Sequence, residues 1–159
     1  MIKISKLADY GTVIMDFLAS DPQARYSATE VATGLRLATP TVSKVLKLLH
    51  EAALVQSERG THGGYRLAKS PDAISVAAII SAIDGKPAMT ECSQGDNVCS
   101  RDKICEVRHQ WQFINQIIVG VLNNLSLSDM HRPLTEMKSL SCGTCHGSAF
   151  PRVEGGKNA

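Results

Sequence analysis

One stretch breaks a chain otherwise patterned for helices. After Leu54-Val55-Gln56-Ser57-Glu58, the residues Arg59-Gly60-Thr61-His62-Gly63-Gly64-Tyr65-Arg66-Leu67 read as a strand, a glycine-rich tip and a returning strand. Glycines let a backbone approach a phosphate chain closely, and Arg59 or Arg66 supplies positive charge beside it. Aromatic residues make up only 4% of the 159, so a core must rest on Leu, Ile, Val and Ala. That composition suits a mainly helical domain with one small hairpin better than a sandwich or barrel.

The segments before the hairpin carry local helix signals. Leu7, Ile14, Phe17 and Leu18 recur at helical spacing from Ser5 to about Ala19, and Asp21-Pro22 stops the run. Ser27-Ala28-Thr29-Glu30 has the form of a capping box, opening a short helix that Gly34 can close. Thr39-Pro40 reads as an N-cap followed by proline at the first helical position, after which Val42, Val45, Leu46 and Leu49 share a face. The opposite face carries Thr41, Lys44, Lys47 and Glu51. A polar helix start with lysines on the free face is what a major-groove reader needs. Exposed lysines are also the ordinary state of a solvated helix, and it is the adjoining hairpin that favours a winged helix-turn-helix domain over residues 1–86. Its candidate DNA contacts are Thr39, Thr41, Ser43, Lys44, Lys47, Arg59, Gly63, Gly64 and Tyr65. Residues 1–70 hold nine Lys or Arg against six Asp or Glu, and residues 71–159 hold eight against nine, so the mildly basic half is the expected reader. His62 in the tip reads as an ordinary exposed histidine.

Ser75 caps a fourth helix bearing Val76, Ile79, Ile80 and Ile83, which Asp84-Gly85 ends before Pro87. Residues 87–106 then form a polar loop holding Cys92, Cys99 and Cys105. A loop with so little to bury gains order from a ligand, and three thiolates suit an iron-sulfur cluster or, with one His or Asp, a structural zinc. From residue 107 to 130 a long helix carries Val107, Trp111, Ile114, Ile118, Val121 and Leu125 at four-three-four-three-four spacing, a seam for a homodimer. Residues 131–159 turn polar and read as a flexible tail. Within it, Cys142-Gly143-Thr144-Cys145-His146 has the spacing of a c-type haem attachment site. Haem attachment is set aside because the opening residues carry charges and no sustained apolar run, so no signal peptide is read there and a cytoplasmic location is expected. In that reducing compartment five cysteines do not make a disulfide framework. No nucleophile, base and oxyanion donor fall into a recognisable pattern, so an enzyme is not expected.

The order of Leu7-Ala8-Asp9-Tyr10-Gly11, the helix-turn-helix, the Gly63-Gly64-Tyr65 wing, three spaced cysteines and a dimer helix resembles the iron-sulfur regulators typified by IscR and NsrR. Met89-Thr90-Glu91-Cys92-Ser93 and Thr39-Pro40-Thr41-Val42-Ser43-Lys44 look most like regulators of the SUF iron-sulfur assembly operon. The resemblance covers residues 1 to about 130. It implies a homodimer that binds operator DNA, represses transcription, and senses through a two-iron or four-iron cluster on Cys92, Cys99 and Cys105. IscR-like members place a histidine three residues after the last cysteine, where this chain has Arg108; His109 lies about 100° further round a helix. NsrR-like members use an acidic residue of the partner's first helix, and Asp9 matches that position. Asp9 is therefore the expected fourth ligand and His109 the alternative. The other readings are a nitric-oxide or redox-responsive repressor of other genes, a zinc-stabilised DNA-binding protein and a small electron-transfer protein.

Overall fold

Apolar residues three and four positions apart give each of the first helices one face to bury, and those faces meet in a single core. A computed structural model describes residues 4–60, 63–94, 99–100 and 104–132. The first helix, α1, spans Lys6–Ala19 and is capped by the Ser5 hydroxyl, which accepts from the Ala8 amide. α2 (Ala28–Leu35) opens with the expected capping box of Ser27 and Glu30. Both bonds to Ser27, the side-chain one first, hold the Glu30 carboxyl below its ordinary pKa. α3 (Thr39–Glu51) buries Val42, Val45, Leu46 and Leu49. α4 (Val76–Asp84) is capped by Ser75 and ends at Gly85, whose φ of 81° suits glycine.

Two helix ends differ from expectation. Ala38 is the N-cap of α3, so Thr39 is its first helical residue and Pro40 its second. The proline still sits in the first turn, where its missing N–H has no helical acceptor to lose, so the local signal was off by one residue. α2 runs past Gly34 to Leu35, and Arg36 takes the left-handed cap with φ 53°. Gly34 instead makes room for a neighbouring helix, because a Cβ there would lie 2.7 Å from the Phe17 ring.

The hairpin forms as read, with β1 (Val55–Glu58) antiparallel to β2 (Gly64–Leu67) and Val55 opposite Leu67. It is fastened to the helical body from the far side. Tyr26 and Tyr65 exchange backbone bonds of 3.0 and 2.8 Å, making a third, one-residue strand, and the Tyr26 ring meets Phe17 edge-on at 5.0 Å. α1 crosses α4 so closely at Gly11 that any Cβ would collide with Ile83.

The long C-terminal helix is shorter than its apolar pattern. α5 spans Arg108–Asn124, which leaves Val107 and Leu125 as its caps, and a separate helix α6 (Leu127–His131) follows. The break is made by Ser126, whose hydroxyl accepts from the Asp129 amide while Asp129 accepts from the Ser126 amide. Beyond it Leu127 is fully buried in the core of the N-terminal helices. The chain thus returns after α5 to pack against the helices of the N-terminal core. The tail cysteines Cys142 and Cys145 lie outside the described residues. Among the described residues no helix is long and apolar enough to cross a membrane.

Candidate nucleic-acid interface and cysteine segment

Burying one face of α3 leaves the other face free. Thr39, Ser43, Lys44 and Lys47 are exposed and Thr41 is half-buried. Lys47 lies 3.9 Å from Glu51, an exposed pair one turn apart that holds the lysine only loosely. Among the described residues Lys44 and Arg59 have no ion-pair partner. Arg59 follows β1 directly, and Gly60 (φ 122°) begins the tip.

The wing is held in part by residues that local pattern did not single out, Arg25 and Tyr26 among them. Arg25 donates to Glu58 at 2.7 Å, neutralising the carboxylate nearest the tip, and Arg66 donates to Gln56 across the strands at 3.1 Å. The two consecutive glycines are needed by the chain itself. A Cβ on Gly63 would collide with the Glu58 carbonyl, and one on Gly64 would stand 2.9 Å from the Tyr26 carbonyl. Their expected closeness to phosphate is thus joined by a closeness to their own backbone. Tyr65 is half-buried against Tyr26, so its ring is partly taken up by packing. Nothing near Arg25 or Tyr26 in the sequence announces these contacts, because the partners lie more than thirty residues away.

Leaving α4, the chain passes Met89 and Thr90 and forms a 3-10 turn at Glu91–Ser93. Cys92 is 7% exposed, with its sulfur 3.1 Å from the Thr90 hydroxyl, which also lies 2.9 Å from that of Ser93. Two amide side chains of α5 take hold of the backbone here. Gln112 donates to the Cys92 carbonyl at 3.1 Å, and Asn115 accepts from the Met89 amide at 3.0 Å. Cys99 and Cys105 are half-buried, and all three thiols are free. Among the described residues no three His, Cys, Asp or Glu side chains are gathered as a metal would need. Asp9 is exposed in the first turn of α1, and His109 is exposed in the first turn of α5. The donor set fits a soft metal or an iron-sulfur cluster by type, three reduced thiols with a carboxylate or imidazole to add, but the sulfurs are not drawn together.

α5 offers the opposite imbalance, exposed apolar residues with no covering partner among the described residues. None of its residues is buried; Trp111, Ile114 and Phe113 are 38%, 39% and 56% exposed. Ile118 differs from the rest of the expected seam by facing inward, where with Leu122, Ile80, Met89 and Ile4 it lines a cleft of about 340 Å³ beside α4. Val121 is half-buried.

Comparison with known proteins agrees with this arrangement. The chain is 25% identical over 142 residues to protein rrf2 of Nitratidesulfovibrio vulgaris, covering 89% of this chain and 95% of that one. It is 28% identical over 119 residues to the HTH-type transcriptional regulator IscR of Erwinia tasmaniensis, covering 75% and 72%. Among solved structures it resembles CymR (YrzC), the global cysteine regulator of B. subtilis, with a TM-score of 0.66 and 28% identity over 82% of this chain and 96% of that one. The family model described as "Iron-dependent Transcriptional regulator" matches residues 4–133, which include the free face of α3, the wing, the cysteine segment and α5 alike. With so much of the chain matched, and with a reading helix and wing in place, this protein belongs to the Rrf2 family of transcriptional regulators.

Proposed function

We propose that this chain is a cytoplasmic, homodimeric repressor that senses through an iron-sulfur cluster and controls SUF-type iron-sulfur assembly genes. The observation that carries the reading is the placement of Cys92. Its thiol is buried at the junction between the winged domain and α5, with two more free thiols following in the same segment. Cys92, Cys99 and Cys105 would hold the cluster, and Asp9 of the partner subunit would complete it. The exposure of Asp9 leaves its carboxylate free to reach another chain. A bound cluster supplies a redox-active and labile group whose loss or oxidation reports the state of the cell. A carboxylate is a harder ligand than thiolate and holds iron less firmly, so a corner bound by Asp9 is open to exchange.

Anaerobic purification followed by iron, sulfide and zinc analysis tests the reading. The expected protein is coloured, with iron and sulfide in equal amounts and little zinc. Zinc without sulfide would replace it with a zinc-stabilised regulator. In the same preparation Asp9→Ala should change the visible spectrum or shorten the cluster's lifetime more than His109→Ala does, and the reverse ranking would move the fourth ligand to α5.

On DNA, Lys44 from α3 and Arg59 from the wing are the proposed phosphate contacts. Each is exposed and without an ion pair among the described residues, so no internal bond is lost on reaching a phosphate. Lys44→Ala and Arg59→Ala should each weaken operator binding and lower the slope of log K against log salt by about 0.9, the value for one phosphate contact on duplex DNA. Titrations at several salt concentrations measure both. Unchanged slopes would take the interface away from these residues.

A further inference from the structure

Resting on the cluster-sensing function proposed above, we infer that Gln112 and Asn115 are positioning residues that transmit the state of the cysteine segment to α5. The two lie three residues apart, on neighbouring turns of one helix face. Gln112 presents a donor to the Cys92 carbonyl and Asn115 an acceptor to the Met89 amide. With residues 89–92 seated on α5 in this register, both bonds are made, one to each carboxamide. Slipping the segment leaves partly buried amide groups unpaired, which is costly, so segment and helix move together.

The Cys92 sulfur belongs to the same residue whose carbonyl is clamped. The Cys92 sulfur lies 3.1 Å from the Thr90 hydroxyl. A cluster held by Cys92, Cys99 and Cys105 would fix the same residue whose carbonyl Gln112 holds, so a change at the cluster would bear directly on Gln112. At its far end α5 is joined to the reader. The Val76 amide donates to the Leu125 carbonyl and the Leu127 amide to the Ile74 carbonyl, both at 2.8 Å, and the fully buried Leu127 locks the joint. Coupling through rigid elements and discrete hydrogen bonds then runs from Cys92 through the amide pair and α5 to the start of α4.

Opposite polarity makes the test specific. Asn115→Asp keeps an acceptor for the Met89 amide, whereas Asn115→Ala removes it. Gln112→Glu sets a carboxylate against a carbonyl, and Gln112→Met removes the donor at similar size with less risk to folding. Operator affinity is measured for the cluster-loaded and cluster-free forms of the full chain. The wild-type ratio, expected at about tenfold or more, should fall to about twofold or less in Gln112→Met, Gln112→Glu and Asn115→Ala, and persist in Asn115→Asp. In the cluster-free protein, alkylation of Cys92 by iodoacetamide, followed by peptide mass analysis, should quicken in the first three variants and not in Asn115→Asp. A wild-type ratio retained by Gln112→Met and Asn115→Ala overturns the transmission, and unchanged Cys92 alkylation overturns the positioning. A wild-type protein that takes up no cluster refutes the sensing function instead, and the alkylation rates still decide whether the amide pair holds Cys92.

Discussion

Leu127→Ala is expected to destabilise the chain by about 2–5 kcal/mol, as large-to-small changes in closed cores do. For a domain whose whole stability is about 5–15 kcal/mol this is a large loss, and chemical denaturation should show it as a lowered midpoint with little change in slope. Leu127 follows the cysteine segment and α5, yet its side chain is fully buried with Ile14, Leu18 and Ile74. The short α6 that carries it is fastened by the Ser126 and Asp129 capping box, by Ser128 donating to Asp72 at 2.5 Å, and by His131 against Asp16 at 2.9 Å. Those polar contacts are mostly exposed and contribute little, so the burial of Leu127 is the principal anchor. His131→Ala, at the exposed end of the same helix, should shift the midpoint far less. Equal effects from the two variants would show that α6 is held by its polar bonds and not by its leucine.

The second large effect is expected on assembly. Ile114→Glu places a charge in the middle of the exposed apolar face of α5, between Trp111 and Ile117. Burying an unpaired carboxylate in an apolar interface is costly enough to favour separated chains. Sedimentation should then report a monomer. Operator affinity should fall by about a hundredfold or more, the gain that two linked reading heads have over one. Ile118→Glu is a different experiment, because Ile118 lines the cleft beside α4 and its replacement disturbs the chain's own packing. A dimer that survives Ile114→Glu with its affinity intact would place the subunit interface elsewhere.

The winged domain was largely legible because its signals are local. The Ser27 and Glu30 box, the proline in the first turn of α3, the spacing of Val42, Val45, Leu46 and Leu49, and the Gly63-Gly64 tip each depend on residues a few positions apart. The errors came where two local signals competed. Four-three spacing through Leu125 made residues 107–130 look like one helix, although Ser126-x-x-Asp129 is itself a capping box and the chain obeys it. Likewise Gly34 looked like the natural end of α2, but its lack of a side chain is used for Phe17, and Arg36 takes the strained cap.

Residue pattern alone was enough to find a helix with one apolar face and a polar face opposite, a glycine-tipped hairpin beside it, three cysteines along one segment, and a later helix rich in apolar residues. Each follows from residue chemistry at short range. Packing of distant elements was needed to reveal that Tyr26 adds a strand to the wing, that Leu127 joins the core built by the N-terminal helices, and that Gln112 and Asn115 grip the backbone at Cys92 and Met89. These are contacts between distant positions, made when helices pack and two polar groups arrive opposite each other. Periodicity, capping and turn chemistry carry no record of which distant residue will arrive.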